Sequence, residues 1–234
     1  MLRSIYFWSV VTVITVLYFP VVALSLPFNR GGKVIRFHVN TWGRLCLFAS
    51  GVKLRITGIE NIIQGRPQIF MSNHQSMHDI FALSVLPVSF KWLAKKELFK
   101  VPILGCLMYM VGSVRVDRYN PQKAKKGIDA AQSKIQSGTS IMIFPEGTRS
   151  YDGRLQPFKK GGFLLALKKK IPLVPITIKG SNKIMKKGTM KVHPGDIDII
   201  INEPIETENL RVKDRKDLVQ KVYDIMSRNL GEGV

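Results

Sequence analysis

Acidic side chains are scarce in this chain, and none at all precedes Glu60. Of 234 residues, 16 are Asp or Glu against 36 Lys or Arg, a formal net charge of +20 at pH 7. So large an excess excludes indifference to anions and leaves three kinds of partner: nucleic acid, anionic lipid, or a phosphorylated or acidic substrate. The interleaved aromatics of RNA-binding modules and a helix-turn-helix pattern are both missing, which argues against nucleic acid. Cysteine is rarer still. Cys46 and Cys106 stand in apolar contexts without metal-ligand spacing, so they read as buried thiols and give no sign of an oxidising compartment. There is no Gly-x-Ser-x-Gly elbow, no internal repeat, and no linker long enough to divide the chain.

Charge of either sign is missing from residues 4–29. As a helix, residues 5–26 would reach about 33 Å, enough to cross a bilayer core, although Pro20 is expected to interrupt it. Ile35, Val39, Trp42 and Cys46 then recur at helical spacing while Arg36, Asn40 and Arg44 mark a polar stripe. That is the pattern of an interfacial amphipathic helix. Three arrangements fit. Ala23-Leu24-Ser25 has the small-x-small form of a signal-peptide site, but the apolar run exceeds the usual length of about 7–15 residues and only Arg3 precedes it. A single span would have Arg30, Lys33 and Arg36 hold its far side in the cytoplasm. A helical pair dipping into one leaflet is favoured by Pro20 and the amphipathic second half. The last two place the remainder on the cytoplasmic face of a membrane.

Downstream, strands are expected at 53–57, 68–71, 88–94, 113–117, 140–144, 173–179 and 196–202, with a turn around 60–67 and an edge pairing at 190–193. Helices are expected at 80–86, 97–111, 121–136 (capped by Asn120), 161–169 and 212–230. This alternation indicates an α/β domain with a mixed, mainly parallel central sheet flanked by helices.

Between the second strand and the helix at 80 runs Ser72-Asn73-His74-Gln75-Ser76-Met77-His78-Asp79. On one ideal helix His74 and Asp79 would lie about 140° apart and could not meet. They meet if His74 stands in the loop and Asp79 in the first helical turn, where the helix dipole also favours a carboxylate. An Asp on one imidazole nitrogen fixes the tautomer and frees the other to take a proton. His74 and His78 share the i, i+4 spacing of zinc proteases, but Gln75 occupies the place of the required glutamate and no third ligand is identifiable, so no metal is expected. His78 reads as a helix-start residue. The strand at 140–144 ends in Pro145-Glu146-Gly147-Thr148-Arg149-Ser150, a carboxylate, a hydroxyl and a guanidinium within four residues at a strand end, where α/β folds place their sites. The planar guanidinium of Arg149 suits a phosphate monoester.

Taken with the histidine segment, residues 144–150 resemble the third signature block of the glycerolipid acyltransferases, specifically the 1-acylglycerol-3-phosphate (lysophosphatidate) acyltransferases. Lys96-Glu97-Leu98 with Pro102, Gly105 and the run Gly112-Ser113-Val114-Arg115-Val116-Asp117-Arg118 looks like the second block, and Val174-Pro175-Ile176-Thr177-Ile178 like the fourth. The resemblance covers residues 54–181; Arg115 departs from it, where the family usually has an apolar or aromatic residue. It implies a membrane-associated helical segment at 1–50 and a catalytic domain at 51–234. The implied reaction moves an acyl group from acyl-CoA or acyl carrier protein to the sn-2 hydroxyl of lysophosphatidate, making phosphatidate without a cofactor. Glycerol 3-phosphate or another lysolipid remains an alternative acceptor, and Gln75-Ser76 resembles the lysophosphatidate branch more closely. His74 is then the base, Asp79 its orienting partner, and Ser76 no covalent nucleophile. Arg149, Arg118 and Lys96 are nominated for the anionic head group and Thr148 for substrate contact. Glu146 is expected at the glycerol hydroxyls or holding Arg149, and Gly147 in a tight turn presenting amides. The basic clusters Lys159-Lys160, Lys168-Lys169-Lys170 and Lys183 with Lys186-Lys187 are expected to meet anionic lipid and the acidic donor.

Overall fold

The computed structural model describes residues 1–28, 32–117 and 121–232; Arg30, Arg118 and Asn120 lie outside them. Seven strands form one sheet: β1 Val52–Thr57, β2 Ile69–Ser72, β3 Phe90–Lys95, β4 Val114–Val116, β5 Ser140–Ile143, β6 Leu173–Lys179 and β7 Gly195–Ile201. Their spatial order is β1-β7-β6-β2-β5-β3-β4. Every pairing is parallel except β6 with β7, so five strands run one way and β1 and β7 the other.

Among the described residues the α-helices are α1 Leu2–Ser25, α2 Lys33–Ser50, α3 His78–Ser84, α4 Leu104–Met110, α5 Pro121–Gln136, α6 Gly161–Lys169, α7 Ser181–Ile184 and α8 Arg215–Leu230. Strand residues alternate between two cores, because successive side chains point to opposite faces. Phe70, Met142, Val174 and Ile176 face a core shared with α1, α2 and α3, whereas Ile69, Met71, Ile141 and Ile143 face one shared with α5, α6 and α8. Burial on both faces explains why β2 and β5 read as continuous apolar runs.

Four expectations are corrected. The helix expected at 97–111 is broken: a 3-10 turn spans Lys96–Lys100, then Val101 is extended (φ −72, ψ 125) before α4 begins. Pro102 causes this, since it disfavours helical backbone in the residue before it. Pro20, conversely, lies inside a continuous α1, where it removes one N–H donor and the flanking turns carry the helix through. Residues 190–193 form no strand; α1 engages their backbone instead, with Trp8 Nε1–H donating to Met190 C=O (3.0 Å) and Val192 N–H donating to Ser4 Oγ (3.0 Å). Cys106 is exposed on the peripheral α4, whereas Cys46 is buried as expected.

The first half of α1 is therefore docked. Phe7 and Val11 are buried in the core, and Arg3 donates to Ser50 C=O at 2.7 Å. α2 returns alongside, tied by Trp42 Nε1–H to Thr15 Oγ1 (3.1 Å) and by His38 Nδ1 with the Tyr18 hydroxyl (3.0 Å). The two helices and the 3-10 turn Leu26–Phe28 that follows α1 leave Leu17, Leu24, Phe28, Phe37 and Phe48 exposed, apolar surface of a kind that marks interaction with a partner or a membrane.

Candidate active site

β2 and β5 are adjacent and parallel, so the loops leaving their C-terminal ends emerge side by side. The first holds residues 73–77. Its anchor is Asn73, buried, whose Nδ2–H donates to Ile178 C=O (2.9 Å) while its Oδ1 accepts Ile178 N–H (2.7 Å). That side-chain amide continues the backbone pairing of β6 where β2 ends.

His74 is gripped on both sides by the second loop. Its N–H donates to Glu146 Oε1 at 2.6 Å, and its C=O accepts Ser150 N–H at 2.8 Å. The imidazole Nδ1 lies 2.8 Å from Asp79 Oδ2, and that same oxygen accepts the backbone N–H of Gln75 (2.7 Å) and Ser76 (2.8 Å). Asp79 stands in the first turn of α3 and is fully buried, whereas the His74 side chain keeps 15% of its surface exposed. A carboxylate at Nδ1 selects the tautomer with the proton there, so Nε2 keeps its lone pair. The spacing of five therefore works as the loop-then-helix geometry requires. Aromatic rings fix the imidazole plane: it stacks on Phe144 with centroids 3.9 Å apart at 10°, and Phe144 stacks on Trp92 at 5.7 Å and 23°.

In this geometry Glu146 holds the histidine loop rather than Arg149. It is buried, its Oε2 accepts Gln156 N–H (3.1 Å) while Oε1 holds His74, and no bond joins it to Arg149. Burial pushes its carboxyl up to about 8, against the pull of the two backbone donors. Gly147 has φ +74, a left-handed conformation suited to glycine, and a Cβ there would sit 2.8 Å from Lys159 Cε. Thr148 is exposed and accepts a bond from Lys187 Nζ at 3.1 Å. Arg149 is half-buried and, among the described residues, makes no side-chain bond. Lys96 lies beyond this turn, at the ends of β3 and β4, where its ammonium binds Asp117 Oδ2 at 2.6 Å.

Two other side chains in the histidine loop are committed elsewhere. Ser76 is fully buried with its hydroxyl donating to Met185 C=O at 2.8 Å. His78 is fully buried, stacked on Phe7, with Phe81 edge-on to it. Burial lowers its pKa to about 4, with Asp79 opposing. Among the described residues no group of three or more His, Cys, Asp or Glu is arranged to hold a metal ion. Sequence reasoning missed Phe144 and Trp92 as supports of the imidazole. For Phe144 its position at a strand end beside the Pro145-Glu146 turn was the available signal; Trp92, within β3, carried none.

A sequence profile for a family described as Acyltransferase matches residues 53–179, more than half of the chain and all of the loops just described. The chain belongs to the acyltransferase family. A chloroplastic 1-acyl-sn-glycerol-3-phosphate acyltransferase of Brassica napus is 38% identical to this acyltransferase over 188 residues, covering 80% of this chain and 54% of its own length. A 1-acyl-sn-glycerol-3-phosphate acyltransferase of Limnanthes douglasii is 37% identical, covering 80% of this chain and 67% of its own. Against the Brassica protein the chain thus spans only about half of the relative's length. The crystal structure of the 1-acyl-sn-glycerophosphate acyltransferase PlsC from Thermotoga maritima superposes on this acyltransferase with a TM-score of 0.86 at 27% identity. It covers 99% of this chain and 94% of that one, so the N-terminal helical pair is included in the likeness.

Proposed function

We propose that the protein transfers an acyl group from an acyl thioester, acyl-CoA or acyl carrier protein, to the sn-2 hydroxyl of 1-acylglycerol 3-phosphate, making phosphatidate for phospholipid synthesis. The observation that carries this reading is the Asp79-bound imidazole of His74, held by the loop that also contains Arg149. The names of the relatives support the acceptor; the donor rests on the chemistry alone.

An alcohol is a weak nucleophile near neutral pH, so His74 Nε2 removes its proton as the oxygen attacks the thioester carbonyl. The C–O bond forms, the tetrahedral intermediate collapses with cleavage of the C–S bond, and the imidazolium returns the proton to the departing thiolate. Asp79 orients the ring and stabilises its charged form. No acyl-enzyme enters this scheme, consistent with the buried, committed hydroxyl of Ser76. Glu146 is a positioning residue for the His74 backbone. Gly147 shapes the turn, and Thr148, Arg149, Arg118 and Lys96 are assigned to the phosphorylated head group.

Residues 1–50 serve membrane association and 51–234 carry the chemistry. With α1 docked through about residue 11, the remaining apolar stretch is about 25 Å long, short of the bilayer core of about 30 Å. Insertion into one leaflet of an anionic membrane from the cytoplasmic side fits that length. The test is the purified protein in detergent, given labelled acyl-CoA or acyl carrier protein with lysophosphatidate or glycerol 3-phosphate. Labelled phosphatidate supports the reading; product only from glycerol 3-phosphate reassigns the acceptor; no product from any pair overturns it.

A further inference from the structure

The turn that carries Arg149 is flanked by two lysines from elsewhere in the chain. Lys187, on the loop after α7, points its ammonium at Thr148 Oγ1 (3.1 Å) and over the Tyr151 ring (3.8 Å to the centroid). Lys159, just before α6, lies over Gly147: a Cβ on that glycine would be 2.8 Å from Lys159 Cε and 3.0 Å from Nζ. The Lys159 backbone is tied to the same turn by its N–H to Pro145 C=O at 2.8 Å. The loop bearing Lys187 is tied to the histidine loop, because Met185 C=O accepts the Ser76 hydroxyl. The Lys187 ammonium is thus placed at the turn by its contacts with Thr148 and Tyr151, and Lys159 by its backbone bond to Pro145.

Two lysine side chains stand at Gly147 and Thr148, next in sequence to Arg149, and none of Arg149, Lys159 and Lys187 forms an ion pair with a carboxylate among the described residues. The acids nearby are turned to other tasks. Glu146 is buried against backbone N–H groups, and Asp152 Oδ1 accepts from Ser150 Oγ and Arg154 N–H. Like charges gathered without counter-ions repel one another, and an arriving anion reverses that cost. Glycine at 147 is favoured by its φ of +74, and the absence of a Cβ lets the end of the Lys159 side chain lie close over the turn.

We propose that Lys159 and Lys187 complete, with Arg149, a cradle for a substrate phosphate group around the Gly147-Thr148 turn. The proposal rests on the acyl-transfer reading of this site and adds two binding residues to it. The ligand chemistry is a phosphate ester, borne either by the acceptor's head group or by the donor's carrier. Arg149 supplies a planar fork and the two lysines mobile point charges, a combination that fits a phosphate approached from several sides.

The full chain in detergent micelles is compared with Lys159→Gln, Lys187→Gln and, as a charge control on α8, Lys221→Gln. Steady-state kinetics are measured with lysophosphatidate, with acyl-CoA, and with an acyl-pantetheine donor that has no phosphate. Each of the two loop variants is expected to raise KM about tenfold for one phosphorylated substrate, with kcat within about threefold and Lys221→Gln unchanged. A rise for lysophosphatidate places the phosphate on the acceptor. A rise for acyl-CoA but not for acyl-pantetheine places it on the donor. Unchanged KM values, a loss confined to kcat, or equal losses with acyl-CoA and acyl-pantetheine and none selective for lysophosphatidate overturn the cradle. If the wild type transfers no acyl group, the activity reading fails separately, and equilibrium binding of glycerol 3-phosphate then decides. About tenfold weaker binding by the two variants supports the cradle, while equal affinity, or no binding by the wild type, overturns it.

Discussion

Phe7 lies against His78 with ring centroids 5.2 Å apart at 25°, and both rings are fully buried. The stack joins the N-terminal helix to the first turn of α3, one residue before Asp79. The N-terminal segment is therefore part of the fold. Phe7→Ala removes a buried aromatic and leaves a cavity beside the helix that bears Asp79, at a cost of about 3–5 kcal/mol by analogy with other buried Phe truncations. Chemical unfolding in detergent should show a loss of that size. A loss below about 1 kcal/mol would mean that α1 contributes little to the core.

His74→Ala should lower kcat by about 10³-fold or more and Asp79→Asn by at least about 10²-fold, with little loss of stability. His78→Leu should stay within about threefold of wild-type turnover, because its ring nitrogens have no protein partner to lose and its surroundings are aromatic. Single-turnover rates with saturating acceptor separate these outcomes. A tenth of wild-type turnover retained by His74→Ala would remove it as the base.

Two buried groups should set the pH dependence of stability, with opposite signs. His78 titrates near 4 when folded against an ordinary 6.5. Below 6.5 the unfolded chain takes up a proton that the folded chain refuses, so stability falls between about pH 6.5 and 4, by roughly 3 kcal/mol in full. Glu146 titrates near 8 when folded against an ordinary 4.5. Its stabilising contribution is complete below 4.5 and is lost as pH rises through 8, because the unfolded chain releases a proton that the folded chain retains. Between about pH 4.5 and 6.5 the two slopes oppose and nearly cancel, so unfolding midpoints should hold level there and fall from about pH 6.5 to 8 through Glu146. His78→Leu leaves Glu146 unopposed, so its midpoint should already fall between about pH 5 and 6.5. Glu146→Gln, which keeps one acceptor for His74 N–H, leaves His78 unopposed, so its midpoint should rise over that interval and hold from about 6.5 to 8. A midpoint that stays level between about pH 5 and 6.5 in His78→Leu would assign the acid behaviour to other groups.

Local patterns in the sequence reached the parts of the site that are local in space. The His74–Asp79 contact depends on five residues and a helix start, and the alternation of apolar runs reached the sheet and its two buried faces. What stayed hidden depends on neighbours distant in sequence. Glu146 meets His74 only because β2 and β5 are adjacent, and Trp92 backs Phe144 only because β3 lies beside β5. Docking of α1 on 190–192 was hidden for the same reason: an apolar run announces that it will be covered without saying by what. Pro102 did carry a local signal for the break before α4, and it was outweighed by the apolar run around it.

The apolar surface of the helical pair offers a cleaner test of membrane association than deletion does. Removing residues 1–50 would strip Phe7, Val11, Cys46, Leu47 and Ala49 from the core, so loss of activity would not distinguish unfolding from detachment. Leu24, Phe37 and Phe48 are exposed by 75%, 65% and 82%, and replacing all three by Glu leaves the core intact. Each substitution also places a carboxylate where the chain has none, opposing both insertion and attraction to an anionic surface. The triple variant should lose at least about tenfold in partitioning to anionic vesicles and in rate on vesicle-borne long-chain lysophosphatidate. Its rate on a short-chain, water-soluble acceptor should stay within about twofold of wild type, since His74 and Asp79 are untouched. High salt should weaken any residual binding through the lysine clusters, because exposed charges are screened. A folded triple variant that partitions to vesicles as the wild type does would place the membrane contact elsewhere on the protein.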